Sequence, residues 1–141
     1  VGPTLKRVRE TYGDQVRLIF RDFPLPNHTE AFVAAEAAQC ANDQGKFWEY
    51  HDQLFANQTA LSVEDLERYA VEIGLDQTLF NECLSTKEHE ADVRTDIEDG
   101  QTYGVTGTPA FFINGRFLSG NQSYETFREV IDDELQRPDL R

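Results

Sequence analysis

The amino-acid sequence predicts an α/β layer fold, in which a strand near the start and a hairpin near the end are packed by helices. An apolar, β-branched and aromatic run over residues 16–23 is typical of a buried strand. Asn114-Gly115 lies between two short strand-like segments, 110–113 and 116–119, and predicts a hairpin with a type I′ turn. The residues between strand and hairpin have the spacing and composition of helices.

Apolar residues recurring at helical spacing predict the helices, and polar residues at their starts predict the caps. Thr29 or Asn27 is expected to cap the first helix of the central block, and Ser62, Asp76 and Ser123 are expected to cap later helices. The predicted helices are 1–12, 31–42, 47–57, 66–73, 79–84, 88–103 and a final one after Ser123.

Length and charge limit the classes of function. The chain has 141 residues, 13 Lys plus Arg and 26 Asp plus Glu, which gives a formal net charge of −13. That length suits one domain with a sizeable core. The negative charge repels phosphate backbones and anionic lipids, so we expect no nucleic-acid partner. We also expect no membrane insertion, because no stretch approaches the roughly 18 apolar residues of a membrane span.

The start of the chain lacks both an initiator Met and a signal-peptide pattern. The first residues already have helical spacing. We therefore expect this chain to be a fragment, or a mature or engineered form, of something longer.

The residues by themselves, without any family resemblance, point to two candidate functional features. Pro109 begins a predicted strand, where a cis bond after Thr108 would turn the backbone toward a visiting extended peptide. The alternative is a trans bond that only shapes the turn. Cys40 and Cys83 fit either a structural disulfide or two buried thiols, and they are too far apart in sequence for a redox pair in one turn.

Three segments together carry a resemblance to a known family. VTGTPAFFING (105–115) resembles the cis-proline strand and hairpin of DsbA-like thioredoxin-fold proteins. VRLIFRDFPLP (16–26) is similar to the strand after that family's first helix, and residues 34–55 are similar to its first inserted helices. The resemblance implies one domain over 1–141, with a thioredoxin core (1–26 and 105–141) around a helical insertion (27–104). The family's N-terminal strand is not in the sequence, so the implied fold is N-terminally truncated.

The family's activity is thiol–disulfide exchange, which uses a C-x-x-C motif at the start of the first helix. There the helix dipole stabilises a thiolate. The sequence contains no C-x-x-C. The resemblance places that motif just upstream of Val1, so the complete protein is expected to be a protein disulfide oxidoreductase without a cofactor. This chain by itself is expected to be inactive.

The resemblance assigns roles to a few residues. Gly107, Thr108 and Pro109 correspond to the cis-proline site that binds the substrate backbone. Arg21 and Asp22 are candidates for charges near the active site, the alternative being a solvated strand end. The oxidising compartment of the family favours a structural disulfide between Cys40 and Cys83. No metal site is expected: a zinc site from both cysteines and His51 lacks a close-spaced ligand pair, and His89 is assigned to an exposed acidic helix.

The resemblance also implies a setting. The expected partners are reduced or misoxidised secreted proteins. A membrane redox partner and self-association through an unpaired sheet edge are two further possibilities. The expected location is the periplasm or another extracytoplasmic compartment. The alternative function is a non-catalytic peptide-binding module of the same fold, and a weaker third is a metal-binding or glutathione-linked relative.

Overall fold

The described part of the chain, residues 1–138 of a computed structural model, consists of seven α-helices, a 3-10 turn and one hairpin. Backbone contacts divide it into two units, a helix–hairpin unit (residues 1–20 with the segment from 104 onward) and a helical unit (residues 21–103). The elements are α1 (Gly2–Tyr12), the 3-10 turn (Gly13–Gln15), α2 (Ala31–Asp43), α3 (Phe47–Ala56), α4 (Val63–Glu72), α5 (Gln77–Ser85), α6 (Glu90–Thr102), β1 (Ala110–Ile113), β2 (Arg116–Ser119) and α7 (Tyr124–Gln136).

The hairpin forms with the predicted strands and turn. β1 and β2 are antiparallel, with Phe111 opposite Leu118 and Phe112 opposite Phe117. Asn114 and Gly115 both have positive φ angles, 48° and 88°, which is the conformation that a type I′ turn requires. Alternation along β1 then directs Phe111 toward α7, where its ring packs edge-on against Phe127 with centroids 4.9 Å apart.

The predicted strand over residues 16–23 is wrong. The segment is extended but belongs to no sheet, and its side chains Ile19 (64% exposed) and Phe20 are open to solvent. A strand is defined by hydrogen bonds to a neighbouring strand, and within residues 1–138 the only sheet is the hairpin itself. An apolar, β-branched run favours an extended backbone. It becomes a strand only where another extended segment lies alongside it and forms hydrogen bonds with it.

Three of the four expected helix caps have the predicted geometry. Ser62 and Asp65 form a reciprocal capping box at α4, Asp76 accepts a hydrogen bond from the N–H of Leu79, and Ser123 caps α7. The prediction for α2 is wrong: its N-cap is Glu30, because a preceding turn closes when the N–H of Ala31 donates to the His28 carbonyl.

The core of the helical unit forms around α2. Ala37 and Ala41 are fully buried and have side chains small enough for neighbouring helices to pack closely. Polar atoms of the buried tyrosines are satisfied locally: Tyr50 Oη donates to the carbonyl of Leu66 (2.8 Å), and Tyr69 Oη donates to the carbonyl of Ala60 (2.7 Å). The unit therefore buries large rings without orphaned hydroxyl groups.

The core of the helix–hairpin unit lies between α1, α7 and the hairpin. Val8 and Tyr12 from α1 meet Phe127 and Ile131 from α7. Tyr12 Oη donates to Asp132 Oδ1 (2.6 Å), and burial together with this carboxylate raises the pKa of Tyr12 to about 12. None of the helices between residues 1 and 138 combines the length and the apolar character that crossing a bilayer requires.

We expect Leu66→Ala to lower the free energy of unfolding by about 2–5 kcal/mol, because it leaves a cavity in a packed core. Leu66 is 0% exposed, whereas Leu79, on a neighbouring helix, is 57% exposed. Leu79→Ala is therefore the matched control and should cost less than about 1 kcal/mol. Urea unfolding followed by circular dichroism measures both, and equal losses would contradict this placement of the core.

Candidate functional site

The segment Gly107–Thr108–Pro109 lies directly before β1, at the start of the hairpin. The peptide bond between Thr108 and Pro109 is cis. Thr108 is exposed, and the Pro109 carbonyl accepts a hydrogen bond from the N–H of Gly120 (2.8 Å), which fixes the segment to the end of β2. A Cβ placed on Gly107 would meet nothing within 4 Å, so the surface beside Thr108 is open. This arrangement can accommodate an approaching backbone.

Arg21 and Asp22 lie in the helical unit and are fixed to α6 and α2. Arg21 Nε and Nη2 donate to Asp96 Oδ1 and Asp99 Oδ2, each at 2.6 Å. The N–H of Asp22 donates to Asp96 Oδ2 (2.7 Å), and Asp22 Oδ2 accepts from Gln39 Nε2 (2.7 Å). These contacts attach residues 21 and 22 to α6 and α2 within the helical unit.

Asp22 is a buried carboxyl group, 4% exposed. Burial raises its pKa to about 6; the hydrogen bond from Gln39 and the charge of Arg21 oppose the rise, and the carboxylate of Asp96 adds to it. The folded protein therefore holds a proton on Asp22 at pH values where the unfolded chain has lost it.

Cys40 and Cys83 are bonded to each other, which joins α2 to α5 inside the helical unit. Their sulfur atoms are 2.08 Å apart and their Cα atoms 5.9 Å apart. Both side chains are buried against the alanine-rich core around α2. Of the two readings that the residues left open, the structure contains the disulfide.

His89 is the residue that the sequence analysis misplaced. Its side chain is only 14% exposed, with Nε2 2.6 Å from Asp43 Oδ2 and Nδ1 2.7 Å from Asp92 Oδ2. Burial opposes a charge on the ring, but the hydrogen bonds to Asp43 and Asp92 outweigh it and raise the pKa of His89. The sequence could have indicated the contact with Asp92, because residues three positions apart are neighbours on a helix. It could not have indicated the contact with Asp43, which is distant in the sequence.

Comparison with known proteins places this chain in a family. A family model described as Thioredoxin matches residues 3–133. The chain belongs to the thioredoxin family. The resemblance drawn from residues 16–26, 34–55 and 105–115 is thereby confirmed, as is the thioredoxin-like fold with its helical insertion.

Two solved structures have the same fold as this member of the thioredoxin family. A thioredoxin-like oxidoreductase from Silicibacter pomeroyi superposes with a TM-score of 0.82 at 23% identity, covering 96% of this chain and 79% of its own. The thiol-disulfide exchange protein α-DsbA2 from Wolbachia pipientis gives 0.81 at 21% identity, covering 94% and 72%. At these identities the likeness establishes the fold.

The curated relatives with similar sequences are named as ion antiporters, unlike the two solved structures. The chain is 38% identical to the Na(+)/H(+) antiporter NhaA 1 of Salinispora arenicola, over 99% of this chain and 22% of the relative. It is 39% identical to NhaA 3 of Salinispora tropica, over 92% and 20%. The chain thus spans about a fifth of the length of the curated relatives it matches.

We expect the stability of the wild-type protein relative to Asp22→Asn to fall as pH rises. The pKa of Asp22 is about 6 in the folded protein, which is above its value in the unfolded chain. Asp22 therefore lowers the stability as pH rises from the unfolded pKa to the folded pKa. The difference in unfolding free energy, variant minus wild type, should grow by about 2–3 kcal/mol between about pH 4 and pH 7.5. Urea unfolding at several pH values measures it. Thr29→Ser, at an exposed position, removes no titratable group, so it is the control and should show no change of the difference with pH.

Removing the disulfide should destabilise the chain. Cys40 and Cys83 are 43 positions apart, and a loop of that length contributes about 4 kcal/mol in the chain-entropy description. We expect the double variant Cys40→Ala/Cys83→Ala, and wild type treated with a phosphine reductant, to lose that amount in urea unfolding. Two reactive thiols in the denatured chain before any reductant is added would contradict the disulfide.

Proposed function

We propose that this chain is part of a thiol–disulfide oxidoreductase that promotes disulfide formation or exchange in secreted proteins. The supporting observation is the exposed Thr108 beside the open surface at Gly107, on a chain with the fold of thiol–disulfide exchange proteins. The redox-active C-x-x-C pair belongs upstream of Val1 in this proposal. That pair supplies the disulfide that accepts two electrons from two client thiols.

The residues of this chain hold the client in place. An extended client segment pairs its backbone with the N–H and carbonyl of Thr108, in the manner of a strand added to a sheet edge. Gly107 leaves room for that segment, since a Cβ there would project into open space. The Thr108 hydroxyl donates to the thiolate formed when the upstream disulfide opens, a contribution of about 1 kcal/mol.

The proposal includes an extracytoplasmic location. A buried disulfide such as Cys40–Cys83 is typical of oxidising compartments. The clients would be reduced or misoxidised proteins, and a membrane redox partner would return the active-site pair to its oxidised form. Arg21 and Asp22 serve in this proposal as structural charges of the helical unit, because their contacts with Asp96, Asp99 and Gln39 occupy both side chains.

We expect Gly107→Val, in the protein that includes the native segment upstream of Val1, to slow oxidation of a dithiol peptide about tenfold. A branched side chain would obstruct one or two backbone hydrogen bonds to the client, each about 1 kcal/mol. The thermal unfolding midpoint should stay unchanged, because a Cβ at this position meets nothing within 4 Å and the branch starts in open space.

Ala91→Val, at an exposed position of α6, is the matched control and should leave the rate unchanged. The 141-residue chain by itself should show no turnover in an insulin-reduction assay. Turnover by that chain, or a rate unaffected by Gly107→Val, would contradict the proposal.

A second candidate is peptide binding without catalysis. It is favoured by the curated relatives, whose name describes ion transport and of which this chain matches about a fifth. In this candidate the chain is a domain that uses the surface beside Thr108 to hold a peptide and carries out no exchange. A native upstream segment without C-x-x-C, combined with peptide binding that Gly107→Val weakens, would favour it over the enzyme.

A further inference from the structure

We propose that reduction of the Cys40–Cys83 disulfide creates a site for a soft divalent cation, Zn²⁺, with the two thiolates, His89 and Asp43 as ligands. The site lies wholly inside the helical unit. It is independent of the proposed exchange function and requires neither the segment upstream of Val1 nor a client peptide.

Three of the four groups lie close to one another, and the fourth, Asp43, is near two of them. Both sulfur atoms and a ring nitrogen of His89 lie within 4.8 Å of one another. Asp43 Oδ2 is 2.6 Å from His89 Nε2 and 3.8 Å from Cys83 Sγ, so it is near both the ring and that sulfur. Ligands of one tetrahedral zinc ion are about 3.5 Å apart, and two thiolates, an imidazole and a carboxylate are all ligands that zinc accepts. Small side-chain movements therefore suffice to close the site.

The histidine is oriented for metal binding. Nδ1 is 2.7 Å from the carboxylate of Asp92, and a carboxylate in that position fixes the ring and its tautomer in metal sites. Nε2 then faces Asp43, whose Oδ2 is 3.8 Å from Cys83 Sγ. On metal binding, the hydrogen bond between Nε2 and Asp43 is exchanged for a bond from each to the cation.

A cavity adjoins the proposed site. The disulfide lines a cavity of about 270 Å³, together with Asp43 and the carboxylates of Glu82 and Glu88. Negative charge around the opening attracts cations, and the chain as a whole carries a formal charge of −13. The buried disulfide therefore lies beside a cavity with acidic walls.

The chemistry balances with a dithiol as the reductant. The S–S bond breaks and the dithiol is oxidised to a cyclic disulfide. Its two electrons and two protons pass to the sulfur atoms of Cys40 and Cys83, which become thiols. Zn²⁺ then displaces the two thiol protons as it binds the thiolates. The oxidised protein holds a disulfide and the reduced protein holds a metal, so the two states exclude each other.

The test uses the full chain, reduced with a phosphine and freed of reductant under anaerobic conditions. Co²⁺ added to it should give thiolate-to-cobalt charge-transfer absorption that saturates at one equivalent, and Zn²⁺ should abolish that absorption. The disulfide form should give none. His89→Ala should weaken zinc binding at least tenfold, whereas His28→Ala, at an exposed position outside the cluster, should leave it unchanged.

Circular dichroism of the reduced chain separates binding from unfolding. A folded reduced chain that binds Zn²⁺ should unfold at a higher temperature with the metal than without it. If reduction unfolds the chain, Zn²⁺ should restore the helical signal. The proposal is overturned by missing charge-transfer absorption, by equal zinc affinity in His89→Ala and His28→Ala, or by a reduced, unfolded chain that Zn²⁺ does not refold.

Discussion

Close packing on helix α2 is the constraint on which the helical unit depends. Its alanines, among them Ala37 and Ala41 with no exposed surface, let α3, α4 and α5 approach the helix backbone. The same helix carries Gln39, Cys40 and Asp43, and each of these three side chains contacts a different partner. Gln39 binds Asp22, Cys40 is bonded to Cys83, and Asp43 contacts His89.

Three residues within five positions of α2 therefore connect this helix to other segments, each by a different kind of interaction. The amide of Gln39 fixes the buried Asp22, the sulfur of Cys40 fixes α5, and the carboxylate of Asp43 fixes the start of α6 through His89. The proposed metal site uses the second and third of these links. Its four ligands are close together because α2 brings Cys40 and Asp43 to the same side of the helix, one turn apart.

The helix–hairpin unit positions its site in another way. Phe111 anchors β1 to α7 through Phe127, and Tyr12 anchors α1 to α7 through Asp132. The segment before β1 is fixed at Pro109, whose carbonyl binds the N–H of Gly120, while Thr108 remains exposed. The proposed peptide binding uses the open surface at Gly107 and Thr108, in the segment directly before β1.

The sequence by itself determined the seven helices, the hairpin with its type I′ turn, and the caps at Ser62, Asp76 and Ser123. These depend on residues a few positions apart in the chain. The family resemblance was also available, because it rests on contiguous segments. Only the tertiary structure decided that residues 16–23 belong to no sheet, that Cys40 is bonded to Cys83, and that His89 lies between Asp43 and Asp92. Each of these depends on which groups from distant parts of the chain become neighbours, and periodicity and local preference carry no information about that.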